Sequence, residues 1–143
     1  MSAARSPAWA AIPVGFELPP LEVPLTASVI VAGAIATRDF MPVHHDRAYA
    51  NEQGAPDIFM NILSTNAYVA RFITDWAGPN AMVRNISLRL GAPAMPGYTL
   101  RFTGTVTRTA REGDEGVVEV TFRGATAIGE HVSGTALFTL SVL

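Results

Sequence analysis

The chain has 143 residues, enough for one domain with a substantial core. Nearly half of it is hydrophobic, only 15% is charged, and the formal net charge of −2 gives no general attraction to nucleic acid or anionic membrane. Cysteine is absent and arginine supplies all ten basic residues, which excludes disulfides, thiolate chemistry and lysine Schiff bases.

A thinly charged surface points to apolar area covered by another subunit. No apolar run approaches the ~20 residues that cross a bilayer, so a cytoplasmic protein is expected. Residues 1–26 lack a continuous apolar signal core and are broken by Pro7, Pro13, Pro19, Pro20 and Pro24. They predict an extended arm lying on the domain or on a partner. Residues 27–143 form the one domain expected.

Ala27 to Ala36 is apolar on both faces, which predicts a central strand. A polar loop follows, Thr37-Arg38-Asp39-Phe40-Met41-Pro42-Val43-His44-His45-Asp46. Arg47 to Glu52 predicts a short helix ended near Gly54. Asp57 predicts the N-cap of a long helix reaching Trp76, with Ile58, Phe59, Ile62, Val69, Phe72, Ile73 and Trp76 at helical spacing. Gly78-Pro79 stops it.

The second half alternates with the period of strands. Met82 to Leu90, Tyr98 to Arg108, a segment around Val118, Val120 and Phe122, and a last one from Val132 to Val142 each have one apolar face. Turns are predicted at residues 112–116 and 127–130. In this alternation His131 falls with the polar residues. Short turns make neighbouring strands antiparallel. One helix must then cover about five strands, and a curved sheet wrapped round it solves that problem. The expected class is α+β, a single hotdog fold.

The loop carries the chemistry. Asp39 and His44 are five apart with Pro42 restricting the turn between them, so both side chains can converge on one water molecule. Imidazole titrates near neutrality and can take a proton that a carboxylate holds in place. A solvated turn is the plain alternative. His44-His45-Asp46 invites a metal reading, but adjacent histidines point apart and only His131 remains as a further imidazole, so no metal is expected. The segment Phe59-Met60-Asn61-Ile62, placed in the first helical turn, offers backbone N–H groups to a developing negative charge.

The loop resembles that of the MaoC-like hydratase/dehydratase family of hotdog proteins, roughly S-G-D-x-N-P-[IL]-H-x-D. Asp39, Pro42, Val43, His44 and Asp46 match in unbroken spacing. The family's glycine is Arg38 here, and its asparagine is Met41. Within the family, the blocks Ala36-Thr37-Arg38-Asp39-Phe40, Val43-His44-His45-Asp46-Arg47, Asp57-Ile58-Phe59, Asn61-Ile62-Leu63, Thr74-Asp75-Trp76-Ala77-Gly78-Pro79 and Leu88-Arg89-Leu90-Gly91 look like the small subunits of actinobacterial steroid side-chain enoyl-CoA hydratases.

The resemblance implies a hydro-lyase that adds water to a trans-2-enoyl-CoA. It implies Asp39 and His44 as the groups that activate the water. It also implies the Asn61 backbone N–H as donor to the thioester oxygen, in the place of the glycine of the family's H-G pair. Coenzyme A enters as part of the substrate, with no separate cofactor. Phe40, Met41, Phe59 and Met60 suit a large apolar acyl group, and Arg84, Arg89 and Arg123 are candidate contacts for the coenzyme A phosphates. The implied partner is a second MaoC-like chain carrying an acyl-CoA-binding OB-type domain, with a homodimer as second choice. A non-catalytic acyl-CoA-binding subunit and a hotdog thioesterase are the rival readings.

Overall fold

The computed structural model describes residues 5–142. Five antiparallel strands form one sheet in the order β1-β3-β4-β5-β2. They are β1 (Leu21–Pro24), β2 (Met82–Leu90), β3 (Thr99–Glu112), β4 (Glu115–Thr126) and β5 (Gly129–Ser141). The helices are α1 (Ala27–Ala36), α2 (Arg47–Glu52) and α3 (Ile62–Ala77). Among the described residues no helix is long and apolar enough to cross a membrane.

The 16 residues of α3 make a rod ~24 Å long. Its Val69, Phe72 and Ile73 are buried with Leu100, Phe102, Val106, Val118, Val120, Phe122, Val132, Ala136 and Phe138 of the sheet. The apolar residues at period two on three long strands thus meet an apolar stripe at helical period on one rod. This is the hotdog arrangement.

Two predicted elements are corrected. Ala27 to Ala36 is a helix, not a strand. An all-apolar run of ten fits either, and alanine-rich composition with Thr26 as N-cap, accepting from Val29 N–H, decides for the helix. Only Ile30 and Ala34 of α1 are buried, and Ile35 near its end is exposed. At Gly33 a Cβ would collide with the Ser64 side chain, which shows how closely α1 crosses α3.

The long helix starts at Ile62, not after Asp57. Residues 58–60 run extended, with Ile58 and Met60 buried and Phe59 between them half-buried. Their backbone is engaged elsewhere: Met60 N–H donates to Ala94 O at 2.9 Å, and Phe59 O accepts from the His44 ring at 2.7 Å. Asp57 is occupied by Arg47, at 2.8 and 3.2 Å, and by its own neighbour's N–H at 2.7 Å. The cap is Asn61, whose Oδ1 accepts from Ser64 N–H. Gly78 at φ 77 ends the helix where expected.

The fifth strand comes from the proline-rich arm. Leu21–Pro24 pairs antiparallel with residues 99–102 of β3. Earlier arm residues continue along the same edge: Gly15 N–H donates to Val106 O, Val106 N–H to Phe16 O, and Leu18 N–H to Gly104 O. Trp9 packs over Gly116 and donates its indole N–H to Val117 O.

Candidate active site

The loop between α1 and α2 begins with a helix-ending motif. Thr37 is the C-cap of α1 and Arg38 follows in the left-handed region at φ 58. Arg38 N–H donates to Ile35 O at 3.0 Å and Asp39 N–H donates to Ala34 O at 2.9 Å. These two crossed bonds are the Schellman pattern, whose left-handed position glycine usually fills. Asp39 is therefore placed by the end of α1. The next turn, Pro42–His44, is 3₁₀ and delivers His44, which is buried.

The two side chains meet. His44 Nε2 lies 3.4 Å from Asp39 Oδ2. His44 Nδ1 lies 2.7 Å from Phe59 O, which can only accept, so Nδ1 carries a hydrogen. In the neutral ring the Nε2 lone pair is thus turned toward the carboxylate. The Phe59 ring packs edge-on against the imidazole at a centroid distance of 5.1 Å.

Asn61 ties the pair to the helix start. Its Nδ2 donates to Asp39 Oδ2 and to Thr37 Oγ1, both at 2.9 Å, while its Oδ1 caps α3. Asp39 Oδ1 accepts from Met41 N–H at 3.3 Å. The Asn61 amide holds the Asp39 carboxyl below the usual aspartate range, helped by the Met41 N–H and the His44 ring and opposed by partial desolvation. Asp39 is therefore an anion at neutral pH. Asn61 itself is buried at an ordinary φ of −77, so this position has no need of glycine's backbone freedom. Among the described residues the Asn61 backbone N–H has no acceptor.

These groups line a cleft of about 290 Å³ bounded by Asp39, His44, Phe59–Ile62, Leu90–Pro93 and His131. Phe59 and Met60 are in its wall, as the sequence suggested. Phe40 and Met41 are exposed and lie outside that lining, as do Arg84 and Arg89. Arg84 bonds Thr139 Oγ1 and the Glu115 carboxylate. Arg89 is exposed on the groove with Ser87, Ser133 and Thr135, and Arg123 pairs with Glu130 at 3.3 Å. Larger hollows on the outer sheet face contain no histidine. Among the described residues, no three His, Asp or Glu side chains converge as a metal site would require.

His131 corrects the alternation. It is buried, not solvated, because the register of β4 and β5 shifts where Gly124 faces Val132 and Ala125 faces Glu130. His131 is the extra residue of that bulge, and a bulge turns a side chain off its expected face. Thr37 and Thr65, which bond the site residues, also escaped the sequence reading. The T-R-D step at the end of an apolar run is the one local signal that could have shown Thr37, as a helix-ending turn; nothing local marks Thr65.

A sheet wrapped round one helix, with a buried histidine and an aspartate meeting near the helix start, is the layout of a hotdog protein of the hydratase type. The chain belongs to the MaoC like domain family, which residues 15–127 match. It is 44% identical over 122 residues to the 3-oxo-4,17-pregnadiene-20-carboxyl-CoA hydratase beta subunit of Mycobacterium tuberculosis, a match covering 85% of this chain and 92% of that protein. It superposes on a chain of the ChsH1-ChsH2 complex from Mycobacterium tuberculosis with a TM-score of 0.84 and 42% identity, over 90% of this chain and 98% of that one. The R-hydratase PhaJ1 from Pseudomonas aeruginosa superposes with a TM-score of 0.83 at 20% identity, over 94% and 85%, and shares the fold.

Proposed function

We propose that this chain is the catalytic subunit of an enoyl-CoA hydratase acting on a steroid side-chain enoyl-CoA. The observation that carries this is the 3.4 Å approach of Asp39 Oδ2 to His44 Nε2 inside a cleft at the start of α3. Two acceptors facing each other share one donor well, and a water molecule has two hydrogens. The water oxygen is then aimed at C3 of a trans-2-enoyl thioester. The lowered pKa of Asp39 makes its carboxylate a poor base, which leaves the base role to the His44 imidazole. His44 takes the proton as the C3–O bond forms, and Asp39 steadies the imidazolium. The same proton closes C2. In between, the thioester oxygen gains enolate charge, and the unpaired Asn61 N–H at the positive end of α3 is the donor offered to it. Coenzyme A is part of the substrate, and the chemistry calls for no other cofactor.

A cleft of about 290 Å³ falls at the small end of ligand sites, which run from ~300 to 1,000 Å³. It holds the reacting carbons and not a steroid with its coenzyme. The likeness to one chain of a two-protein complex supports a second chain as the partner that completes the enclosure; the family resemblance makes that chain MaoC-like, with an acyl-CoA-binding OB-type domain. A coenzyme A thioester substrate fits a cytoplasmic setting.

The test is to co-express the chain with its genomic neighbours and follow loss of the enoyl thioester absorbance with steroid and straight-chain enoyl-CoAs. Asp39→Ala and His44→Ala should each cut kcat by about 10²–10⁴-fold while the protein stays folded. Turnover near wild type in either variant rejects the assignment. A thiol-reactive dye should detect no free coenzyme A; its release would make the protein a thioesterase instead.

A further inference from the structure

His131 lines the same cleft as the Asp39–His44 pair and ties two other elements to its own strand. It belongs to β5. Its Nδ1 is 2.7 Å from Ala92 O in the segment after β2, and its Nε2 is 2.8 Å from Thr65 Oγ1 on α3. The main chain repeats the stitch, with Gly91 N–H donating to His131 O and Ala92 N–H to Glu130 O, both at 2.7 Å. Thr65 in turn closes on the helix start. Its N–H donates to Asn61 O at 3.1 Å and its Oγ1 lies 3.2 Å from the same oxygen.

Hydrogen accounting gives this chain of contacts a direction. Ala92 O can only accept, so His131 Nδ1 carries a hydrogen. Burial disfavours a second proton on the ring and pushes its pKa below the usual histidine value, against the pull of the Ala92 carbonyl. Nε2 is then an acceptor, and the single hydroxyl hydrogen of Thr65 has two claimants, Nε2 at 2.8 Å and Asn61 O at 3.2 Å. The hydrogen is shared between the two acceptors as a three-centre bond, so Thr65 is held in one rotamer that bridges the His131 ring and the Asn61 carbonyl.

We propose that His131, acting through Thr65, is a positioning residue that fixes the Asn61 turn and so the distance between the oxyanion donor and the Asp39–His44 pair. This rests on the hydratase reading of the cleft. The Asn61 side chain holds Asp39 at 2.9 Å, and its backbone N–H is the donor assigned above to the thioester oxygen, so one rotation at Asn61 displaces both at once. A displacement of ~1 Å in a reacting geometry costs about 10²-fold in rate. His131 touches no reacting atom in this scheme.

The test compares wild type with Thr65→Val, which keeps shape and loses the hydroxyl, Thr65→Ser, which keeps the hydroxyl, and His131→Phe, which keeps the ring. Thr65→Val and His131→Phe should lower kcat by about 10- to 100-fold with KM changed less than about twofold, and Thr65→Ser should recover most of the loss. The double variant should be no slower than the worse single one, because both cut the same chain of contacts. A substrate-free readout stands beside the kinetics. In ¹⁵N-labelled protein, the Asn61 backbone and side-chain amide signals should move in both variants and return in Thr65→Ser. Unmoved Asn61 signals in folded Thr65→Val, or losses that multiply in the double variant, overturn the proposal. If the wild type hydrates no enoyl-CoA, the functional reading fails and the amide signals still decide the positioning. If His131→Phe does not fold, the two threonine variants decide it.

Discussion

Asn61 spends every polar atom of its side chain: two hydrogens to Thr37 and Asp39, one oxygen to Ser64 N–H. Its loss should therefore register in two independent measurements. Asn61→Ala removes a helix cap, which costs about 1 kcal/mol in chemical denaturation. It also removes the main cause of the lowered Asp39 pKa. The sign follows. A carboxyl held below its ordinary value favours the folded state above the ordinary range, and that contribution fades as pH falls through the lowered value. In Asn61→Ala the Asp39 carboxyl should take up its proton at higher pH, which the side-chain carboxyl signal of ¹³C-labelled protein reads directly. A midpoint that stays put would show that Asn61 does not govern the carboxylate. The spacing of Asp39 and His44 in one short loop allowed either their convergence or a solvated turn, and the family resemblance made the choice between them. The hold that Asn61 keeps on Asp39 spans 22 positions and leaves no local pattern.

Elements were harder to read than residues. About five strands is the right number, but the sequence pattern counts α1 among them and omits β1. The omission follows from Pro24 and its neighbours: proline argues against a central strand, and β1 is an edge strand, where proline is tolerated. The error at α1 came from an apolar run with no face to choose. Its end was the better guide, because Arg38 stands at a left-handed position that a strand would not create. Such a position costs a residue with a Cβ about 1–3 kcal/mol, partly offset in glycine by chain entropy. Arg38→Gly should therefore raise unfolding stability by about 0.5–1 kcal/mol in urea. A loss of stability would mean that the arginine side chain does more for the fold than its backbone strain costs.

At the scale of the whole molecule, the proline-rich arm is structural. Leu18 within it is buried in the same core as Phe102 and Phe72. Leu18→Ala should lower stability by about 2–4 kcal/mol, the range for a cavity left by a core leucine, and urea unfolding would measure it. A change under about 0.5 kcal/mol, the surface norm, would show that the arm rests on the fold without supporting it.

The arm also covers part of a sheet border. Between Thr99 and Val106 it occupies the outer border of β3. Twenty-odd residues of proline-broken chain, which look dispensable in the sequence, thus close that stretch of backbone to pairing with another chain.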